Sequence, residues 1–269
     1  MHFALPGRRT RRDTVPLDLR VATFNIRNIT DRYEERKPLL GAAFAEINAD
    51  IIGLQEVIIS EGGPDKPRQD DFLAAQLPAR QYRSSLSPHE TRTYFCNAIL
   101  SSIGELNAHE QLRLSTGRSA HRVLIQVGTT TFWFVNTHLH HRPLEPEVRK
   151  EQAEAICTWM AAAPQADATF IVGDFNTPPH EPAYAVMAAS GYRSAFREAN
   201  GTEPAVTWPS GIQAETMDTD GDPNCLDYIW FRGSVSLKKV WIAANQHPPE
   251  DPTIYPSDHF AIVAEASVG

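Results

Sequence analysis

Short apolar runs recur along the chain and predict a protein rich in β-strands. Residues 19–26 alternate apolar and polar side chains, which is the pattern of a strand with one buried face. Residues 51–54 are continuously apolar, which favours a strand buried on both faces. The same reasoning predicts further strands at residues 94–100, 122–127, 131–137, 169–172, 226–231, 235–242 and 260–266.

Other segments carry apolar residues at helical spacing or end in helix-stop signals. Gly191 is a fitting C′ residue for the last of these helices, and Gly128 predicts a hairpin turn between two strands. Residues 60–69, with two glycines and two prolines, are predicted to form a loop. Because the elements alternate without a repeat or a linker, residues 17–269 are predicted to form one α/β or α+β domain. The predicted helices span residues 34–48, 71–77, 145–163 and 182–189.

The composition is that of a globular protein, with 42% hydrophobic and 22% charged residues among 269. Lys plus Arg is 25 and Asp plus Glu is 33, so the formal charge is 25 − 33 = −8. This charge argues against a protein that coats polyanions non-specifically. It leaves open an enzyme that meets phosphates through metal ions.

Residues 1–16 are predicted to be a flexible basic arm, with contact to a polyanion as the alternative. No apolar signal-peptide core follows the arm, and no run approaches the roughly 20 apolar residues of a membrane span. Cys96, Cys157 and Cys225 lack the spacing of a disulfide framework or thiolate zinc site. We therefore expect a cytoplasmic protein with free thiols and no membrane insertion. The basic residues of the arm are Arg8, Arg9, Arg11 and Arg12.

Polar side chains follow, precede or interrupt the apolar strands at several places. A carboxylate in an apolar strand is costly to bury unless it is paired or bound to a metal. Four carboxylates in such positions indicate a divalent cation, and all-oxygen ligands favour Mg²⁺ or Mn²⁺ over Zn²⁺. Each residue alone could lie at the surface or in a turn, so the argument depends on their coincidence. The residues are Asn25, Glu56, His138, Asp174, Asn176, Asp227, Asp258 and His259.

Two competing kinds of site are weaker. Alternation would place His138 and His140 on one side of an extended segment, but two histidines without a third ligand make only a moderate zinc site. Ser257-Asp258-His259 cannot form a hydrolytic triad, because successive side chains of an extended segment point apart.

Two further features stay open. The acidic segment 218–222 begins like a Ca²⁺-binding loop, but Pro223 and Ile229 stand where that loop needs Gly and Glu. An acidic surface loop and a separate Ca²⁺ site remain alternatives. Trp208 could stack on a base or sugar, or could pack in the interior.

Taken in order, seven motifs resemble the endonuclease/exonuclease/phosphatase (deoxyribonuclease I-like) superfamily, over about residues 20–266. The resemblance implies a four-layer α/β sandwich, in which two mixed sheets pack face to face with helices outside and the site lies at one end. It also implies Mg²⁺-dependent hydrolysis of a phosphoester, with Mn²⁺ as a substitute. The motifs are Thr23-Phe24-Asn25-Ile26, Ile52-Gly53-Leu54-Gln55-Glu56-Val57, Asn97-Ala98-Ile99-Leu100-Ser101, Asn136-Thr137-His138-Leu139, Val172-Gly173-Asp174-Phe175-Asn176, Leu226-Asp227-Tyr228-Ile229 and Ser257-Asp258-His259-Phe260.

The resemblance also implies residue roles. Glu56 would be the principal metal ligand, with Asn25 beside it and Asp258 nearby. Asp174 and Asn176 would orient the attacking water and hold the phosphoryl oxygens.

The remaining catalytic positions concern the phosphate and the proton. His259 would lie at the phosphate with Asp227 as its carboxylate partner, and His138 would donate a hydrogen bond to the phosphate. The acceptor of the water's proton is either Asp174 or the His259–Asp227 pair.

Relatives of this fold cleave DNA, RNA, sphingomyelin or inositol phosphates, so the fold does not identify the substrate. We expect a nuclease-like phosphodiesterase acting as a monomer without a protein partner. A phosphatase or phosphodiesterase for small or lipid-linked substrates is the alternative, and a non-catalytic scaffold is a third. Asn97, Trp208 and Arg122 are predicted to contact substrate. The arginines available to a phosphate-bearing substrate are Arg68, Arg80, Arg83, Arg92, Arg113, Arg118 and Arg122.

Overall fold

Two six-stranded sheets lie face to face in the computed structural model, which describes residues 15–59, 68–88, 95–217 and 221–269. In chain order the strands are β1 (Leu17–Asn25), β2 (Ile51–Ile58), β3 (Arg83–Pro88), β4 (Phe95–Ser101), β5 (Glu105–Arg113), β6 (Ser119–Val127), β7 (Thr130–His138), β8 (Ala168–Asp174), β9 (Arg193–Ser194), β10 (Asp227–Gly233), β11 (Val235–Ala243) and β12 (Ala261–Val268). The first sheet has the order β11-β12-β1-β2-β4-β3 and the second β5-β6-β7-β8-β10-β9. The pairs β1–β2 and β7–β8 are parallel and the other pairs antiparallel, so both sheets are mixed.

Helices cover the outer face of each sheet. Leu40 and Phe44 of the first helix pack on the first sheet, and Ile156 and Met187 of the third and fourth pack on the second. This arrangement confirms the predicted four-layer α/β sandwich. The helices are α1 (Tyr33–Ile47), α2 (Gln69–Ala74), α3 (Pro146–Ala161), α4 (Pro182–Ala189) and α5 (Ala195–Asn200).

The central core fills the space between the sheets with aliphatic and aromatic side chains from both, including Val21, Phe134 and Phe170. Gly53 lies where the two layers approach each other closely. A Cβ there would lie 2.5 Å from the Val172 side chain, so any larger residue would push the sheets apart.

Most strands lie where the apolar pattern predicts them, and the β6–β7 hairpin turns at Gly128 as expected. The pattern missed β3, β5, the two-residue β9 and α5. β5 is an edge strand whose side chains are mostly exposed, and β3 is an edge strand of largely polar residues. β5 buries no full face, and the buried positions of β3 are Ser85 and Ser87, so neither strand carries the apolar alternation that reveals a strand in the sequence.

Several predictions, including Arg92 and the start of the predicted strand 94–100, fall wholly or partly on residues that the structure does not describe. Helix α2 begins at Gln69, the last residue of the predicted loop, while 60–67 lie outside the described residues. Of the predicted basic arm, 1–14 lie outside them as well. Over the described ranges, none of the helices combines the length and hydropathy that a membrane span requires.

Two fully buried arginines hold the loops at one end of the sandwich. Arg36 donates to backbone carbonyls of the loop after β1 and to that of Pro256. Arg149 pairs with Glu181 and donates to the carbonyls of Arg142 and Pro143 in the loop after β7. Because an arginine offers five fixed donors, each one ties several loop carbonyls to a single helix position.

His121 of β6 is fully buried, and its ring lies 5.7 Å from that of the exposed His109. Burial, with the charge of His109 acting in the same direction, lowers the pKa of His121 to about 3 from 6.5, against a smaller opposing effect of the Ser85 backbone. Below about pH 6.5 the unfolded chain therefore binds a proton at His121 that the folded chain rejects. Folding stability must fall as the pH decreases through this range.

We expect His121→Gln to remove this part of the acid sensitivity. Relative to the variant, the wild type should lose up to about 1.4 kcal/mol of unfolding free energy per pH unit between about pH 6 and pH 4. Urea unfolding across that range measures the difference, with His180→Gln, at an exposed histidine that does not influence His121, as the control. Equal pH slopes for the wild type and His121→Gln would contradict the burial argument.

Candidate active site

Four polar residues form one row across the second sheet, where β7 and β8 end and β10 begins. Ser119 pairs with His138, His138 with Asp174, and Asp174 with Asp227. All four are buried. Residues paired in this way point to the same face of a sheet, so the row presents two carboxylates and an imidazole side by side.

His259 completes this row from the other sheet, just before β12. Its Nδ1 lies 2.9 Å from Asp227 Oδ2, and its Nε2 lies 3.6 Å from Asp174 Oδ2. On the other side of the same Asp174 oxygen, His138 Nε2 lies 3.4 Å away. Asp174 is thus flanked by two imidazoles, one of which is held by a second carboxylate.

Charge and burial shift the protonation of this group. Burial raises the pKa of Asp174, and the negative Asp227 adds to this, while His259 and the Asn25 amide oppose it. Burial alone would lower the pKa of His259, but Asp227, Asp174 and Asp258 outweigh it and raise that pKa. His259 is therefore stabilised as the imidazolium, which can donate hydrogen bonds from both ring nitrogens.

Glu56 reaches the site because β2 contains a bulge. The pairing of β2 with β4 shifts register between Leu54 and Val57, and Glu56 has a left-handed φ of 61°. For a residue with a Cβ this conformation is unfavourable, and the surrounding structure must hold it. The bulge re-aims the Glu56 side chain from a regular strand direction toward the end of the sandwich.

Two amides connect Glu56 to the rest of the cluster. Asn25 Nδ2 donates to Asp174 Oδ2 at 3.0 Å and to Glu56 Oε1 at 3.3 Å, and Asn28 Nδ2 donates to Glu56 Oε2 at 2.7 Å. Asn25 is the last residue of β1, so a single amide joins carboxylates from both sheets.

Asp258 occupies the side of the cluster nearest Arg27. Its Oδ2 lies 3.3 Å from Trp208 Nε1 and 3.6 Å from Arg27 Nε, and its Oδ1 accepts from the Ser257 hydroxyl at 3.2 Å. Burial disfavours the charged form of Arg27, but Asp258 and Glu56 outweigh this effect and raise its pKa. Arg27 thus balances part of the buried negative charge.

The cluster fits a divalent cation by the chemistry of its donors. Asp174, Asp227 and His259 offer ligand atoms within 4.8 Å of one another, and Asp227 Oδ1 has no hydrogen-bond partner among the described residues. Glu56 joins this group through Asn25, and Asp258 adjoins it in sequence. Carboxylate oxygens predominate among these donors, which suits Mg²⁺ or Mn²⁺.

The other predicted polar positions lie beside the row. Asn176 adopts a left-handed φ of 49°, its backbone N–H donates to Asp174 Oδ1, and its side-chain amide donates to the carbonyl of Leu139. Asn97 is fully buried between the sheets and donates to the carbonyl of Ser119.

Trp208 and Arg122, the other two residues predicted to contact substrate, interact with other groups of the protein. Trp208 is 8% exposed and directs its indole N–H at Asp258. Arg122 lies outside the cluster: it pairs with Glu110 and packs between the rings of Trp133 and Trp159. Side chains alternate along β6, so Arg122 faces α3 while Ser119 faces the other sheet, and its placement does not support the predicted substrate contact.

The structure also bears on the alternative sites that the sequence suggested: a histidine metal site, a hydrolytic triad and a Ca²⁺ loop. His140 contacts Glu145 at 2.9 Å, whereas His138 contacts Asp174, so the two histidines do not converge on a shared metal. Ser257 donates its hydroxyl to the carbonyl of Asn25 at 2.6 Å, as a structural group would. The possible Ca²⁺ loop includes 218–220, which lie outside the described residues.

Sequence reasoning missed Arg27, Asn28 and Thr207. Arg27 and Asn28 directly follow the Asn25-Ile26 motif, so their proximity in sequence was an available signal. Thr207 carried none, because its contacts to the backbone of Leu226 and Asp227 exist only in the folded chain.

A sequence model of the Endonuclease/Exonuclease/phosphatase family matches residues 22–259 of this chain. A search of curated protein sequences found no match.

Solved structures share the fold at low sequence identity. An endonuclease/exonuclease/phosphatase from Bacteroides vulgatus is 22% identical with a TM-score of 0.74, covering 94% of this chain and 100% of that one. The human Nocturnin catalytic domain with bound sulfate is 22% identical with a TM-score of 0.72, covering 96% and 97%. D. rerio TDP2 complexed with single-strand DNA product is 16% identical with a TM-score of 0.72, covering 93% and 98%.

We expect Asp227→Asn to lower the pKa of His259, because Asp227 is the strongest of the influences that raise it. The fall should be about one pH unit or more in metal-free protein. An NMR titration of the His259 ring measures it, with the signal assigned by its loss in His259→Gln. Asp258→Asn serves as the comparison and should cause a smaller fall. An unchanged pKa in Asp227→Asn would mean that the 2.9 Å contact does not control the charge of His259.

Proposed function

The chain belongs to the endonuclease/exonuclease/phosphatase family, and we propose that it is a divalent-metal-dependent phosphoesterase that hydrolyses phosphodiesters by in-line attack of water. The observation that carries the proposal is the buried row of His138, Asp174 and Asp227, joined by His259 from the other sheet. Such a row supplies a carboxylate for a water molecule and cationic or neutral donors for phosphoryl oxygens.

Glu56 is the principal metal ligand in this proposal, with Asn25 beside it and Asp258 nearby. Mg²⁺ is the expected ion and Mn²⁺ a substitute, and when bound it supplies Lewis-acid stabilisation of the phosphoryl oxygens. The group of Asp174, Asp227 and His259 is a less favourable position for the ion. One of its donors is an imidazole whose Nδ1 is already held by Asp227, whereas Mg²⁺ prefers oxygen ligands.

The protein's own groups divide the remaining tasks. Asp174 orients the attacking water and accepts its proton. Its raised pKa supports this role, because it makes the carboxylate a stronger base near neutral pH. His259 donates from Nε2 to a phosphoryl oxygen while Asp227 holds Nδ1. His138 and Asn176 are the further donors at the phosphate.

A basic segment beside the row supports a substrate with more than one phosphate. Arg113 of β5 pairs with Ser119, which places it in the same row two strands from His138. Arg118 Nη2 lies 3.0 Å from His141 Nδ1, in the loop that follows His138. We call Arg113, Arg118 and His141 the basic flank.

The buried Gln152 of α3 fixes the basic flank to the loop after β7, residues 139–145. Its Nε2 donates to the carbonyl of Ser115 at 2.8 Å, and its Oε1 accepts from the backbone N–H of His140 at 2.9 Å. The turn that carries Arg118 is thereby held against the loop that carries His141. This arrangement favours a nuclease-like phosphodiesterase, because a nucleic acid offers a phosphate on each side of the scissile one.

A small or lipid-linked phosphoester is the second candidate. Leu144 is 95% exposed in the loop after β7, and Ile29 is 53% exposed in the loop after β1. In this second candidate function, these two side chains would contact an apolar substituent on the substrate. A screen of single-stranded DNA, RNA, inositol phosphates and sphingomyelin, with Mg²⁺ or EDTA, separates these candidates.

We expect Glu56→Gln to raise the Mg²⁺ concentration required for half-maximal hydrolysis of bis-(p-nitrophenyl) phosphate by at least about 100-fold. Mg²⁺ should also raise the Tm of the wild type more than that of the variant, since a ligand that binds the folded state stabilises it. Glu198→Gln, a change at an exposed carboxylate in α5, is the matched control. A Glu56→Gln enzyme with unaltered Mg²⁺ dependence would remove Glu56 from the metal site.

We expect Arg118→Ala to raise KM for a short single-stranded oligodeoxynucleotide by about 10-fold, corresponding to about 1.4 kcal/mol. The salt dependence of binding should weaken by about one phosphate contact. Hydrolysis of bis-(p-nitrophenyl) phosphate, which has a single phosphate, should be unaffected. Arg193→Ala provides the control, since Arg193 is exposed and pairs with Glu198. Equal losses on both substrates would contradict a role in binding a neighbouring phosphate.

A further inference from the structure

The segment Thr207–Ser210 crosses the junction between the two sheets, and we call it the 207–210 clamp. On one side it forms hydrogen bonds with the backbone at the start of β10. The Thr207 hydroxyl oxygen accepts the backbone N–H of Leu226 at 2.8 Å and that of Asp227 at 3.2 Å. Thr207 is fully buried, so these two N–H groups depend on it rather than on solvent.

On its other side the clamp forms hydrogen bonds with the segment that leads into β12. The Thr207 carbonyl accepts the backbone N–H of Phe260 at 2.8 Å, and the Ser210 N–H donates to the Asp258 carbonyl at 2.7 Å. The Trp208 indole N–H donates to Asp258 Oδ2 at 3.3 Å. Trp208 is itself fixed by two backbone hydrogen bonds with Asn224.

The start of β10 and the segment before β12 belong to different sheets, yet they carry side chains that contact each other. Asp227 begins β10 of the second sheet, while Asp258 and His259 precede β12 of the first. The 2.9 Å contact between Asp227 and His259 spans that junction. Apolar packing between sheets is non-directional, whereas a hydrogen bond weakens over a few tenths of an ångström.

We propose that the 207–210 clamp positions the active site, with Thr207 setting Asp227 against His259 and the Trp208 indole N–H fixing the carboxylate of Asp258, a proposed metal ligand. This inference rests on the proposed function, because the metal and the hydrolysis belong to that proposal. It also assigns Trp208: the indole is a positioning group, and its small exposed area leaves little ring face for stacking on a base.

Thr207→Val keeps the shape of the side chain and removes the acceptor of both N–H groups. We expect kcat for bis-(p-nitrophenyl) phosphate to fall by about 100-fold with KM changed less than about 3-fold, because the loss affects orientation of reacting groups and not substrate binding. Thr207→Ser restores the hydroxyl and should recover kcat to within about 3-fold of the wild type. Thr169→Val, at the opposite end of β8, controls for loss of a buried threonine hydroxyl.

A readout without turnover accompanies these variants. The His259 Nδ1–H proton, bonded to Asp227, should give a downfield NMR signal in metal-free wild type and Thr207→Ser, and the signal should shift upfield or vanish in Thr207→Val. A folded Thr207→Val with wild-type kcat and an unchanged signal would overturn the role of Thr207. Should Thr207→Val fail to fold, a Thr207→Ser enzyme that lost activity would do the same.

Trp208→Phe tests the second contact independently, since it keeps an aromatic ring and removes the N–H. Calorimetry of substrate-free protein should give Mn²⁺ binding weakened by about 10-fold, the effect expected when a partner of a metal ligand is lost. The Trp208 indole signal, identified among the five tryptophans by its loss in Trp208→Phe, should move in Asp258→Asn. Trp241→Phe in β11 is the matched control.

The outcomes separate the clamp from its alternatives. A raised KM for an oligonucleotide with wild-type Mn²⁺ affinity in Trp208→Phe would mean that Trp208 stacks on substrate, and would overturn the positioning role. Failure of the proposed function would instead show in the wild type, as absent Mn²⁺ binding and absent turnover of phosphodiesters. Failure of the clamp shows only in the variants.

Discussion

The burial of four carboxylates where the two sheets meet is the constraint on which this site depends. Glu56, Asp174, Asp227 and Asp258 are each less than 9% exposed, and each would lose several kcal/mol of hydration if left unpaired. His259 and Arg27 offset part of that charge, and amide donors satisfy individual oxygens. Carboxylates remain in excess, which supports the proposed divalent cation.

Holding these groups together requires devices that act against ordinary backbone preferences. The bulge in β2 places Glu56 in a left-handed conformation, and Asn176 adopts one at the end of β8. Such conformations persist only where other contacts over-determine them. The buried Arg36 and Arg149 supply part of that support by tying loop carbonyls to the helices behind them. The 207–210 clamp does the same between the sheets.

Each sheet contributes different side chains to the site. The second sheet supplies the row that flanks Asp174, the first sheet supplies Glu56 and the Asp258-His259 pair, and Asn25 bridges them. Because the proposed chemistry needs contributions from both layers, small sliding of one sheet against the other would separate the groups assigned to it. Gly53, which lets the layers approach closely, and the hydrogen bonds at the junction both oppose such sliding.

The amino-acid sequence by itself determined the buried strands and the order of polar residues at the strand ends, and only its resemblance to a known family implied the layered architecture. Apolar alternation reports burial, and carboxylates amid apolar residues are costly enough to be informative. Tertiary structure alone decided the edge strands β3, whose buried positions are serines, and β5, which is mostly exposed, because neither leaves an apolar pattern. It also decided the places of Arg122, Trp208 and Thr207. A side chain's partner depends on which face and which neighbouring sheet it meets, and residues distant in sequence set both.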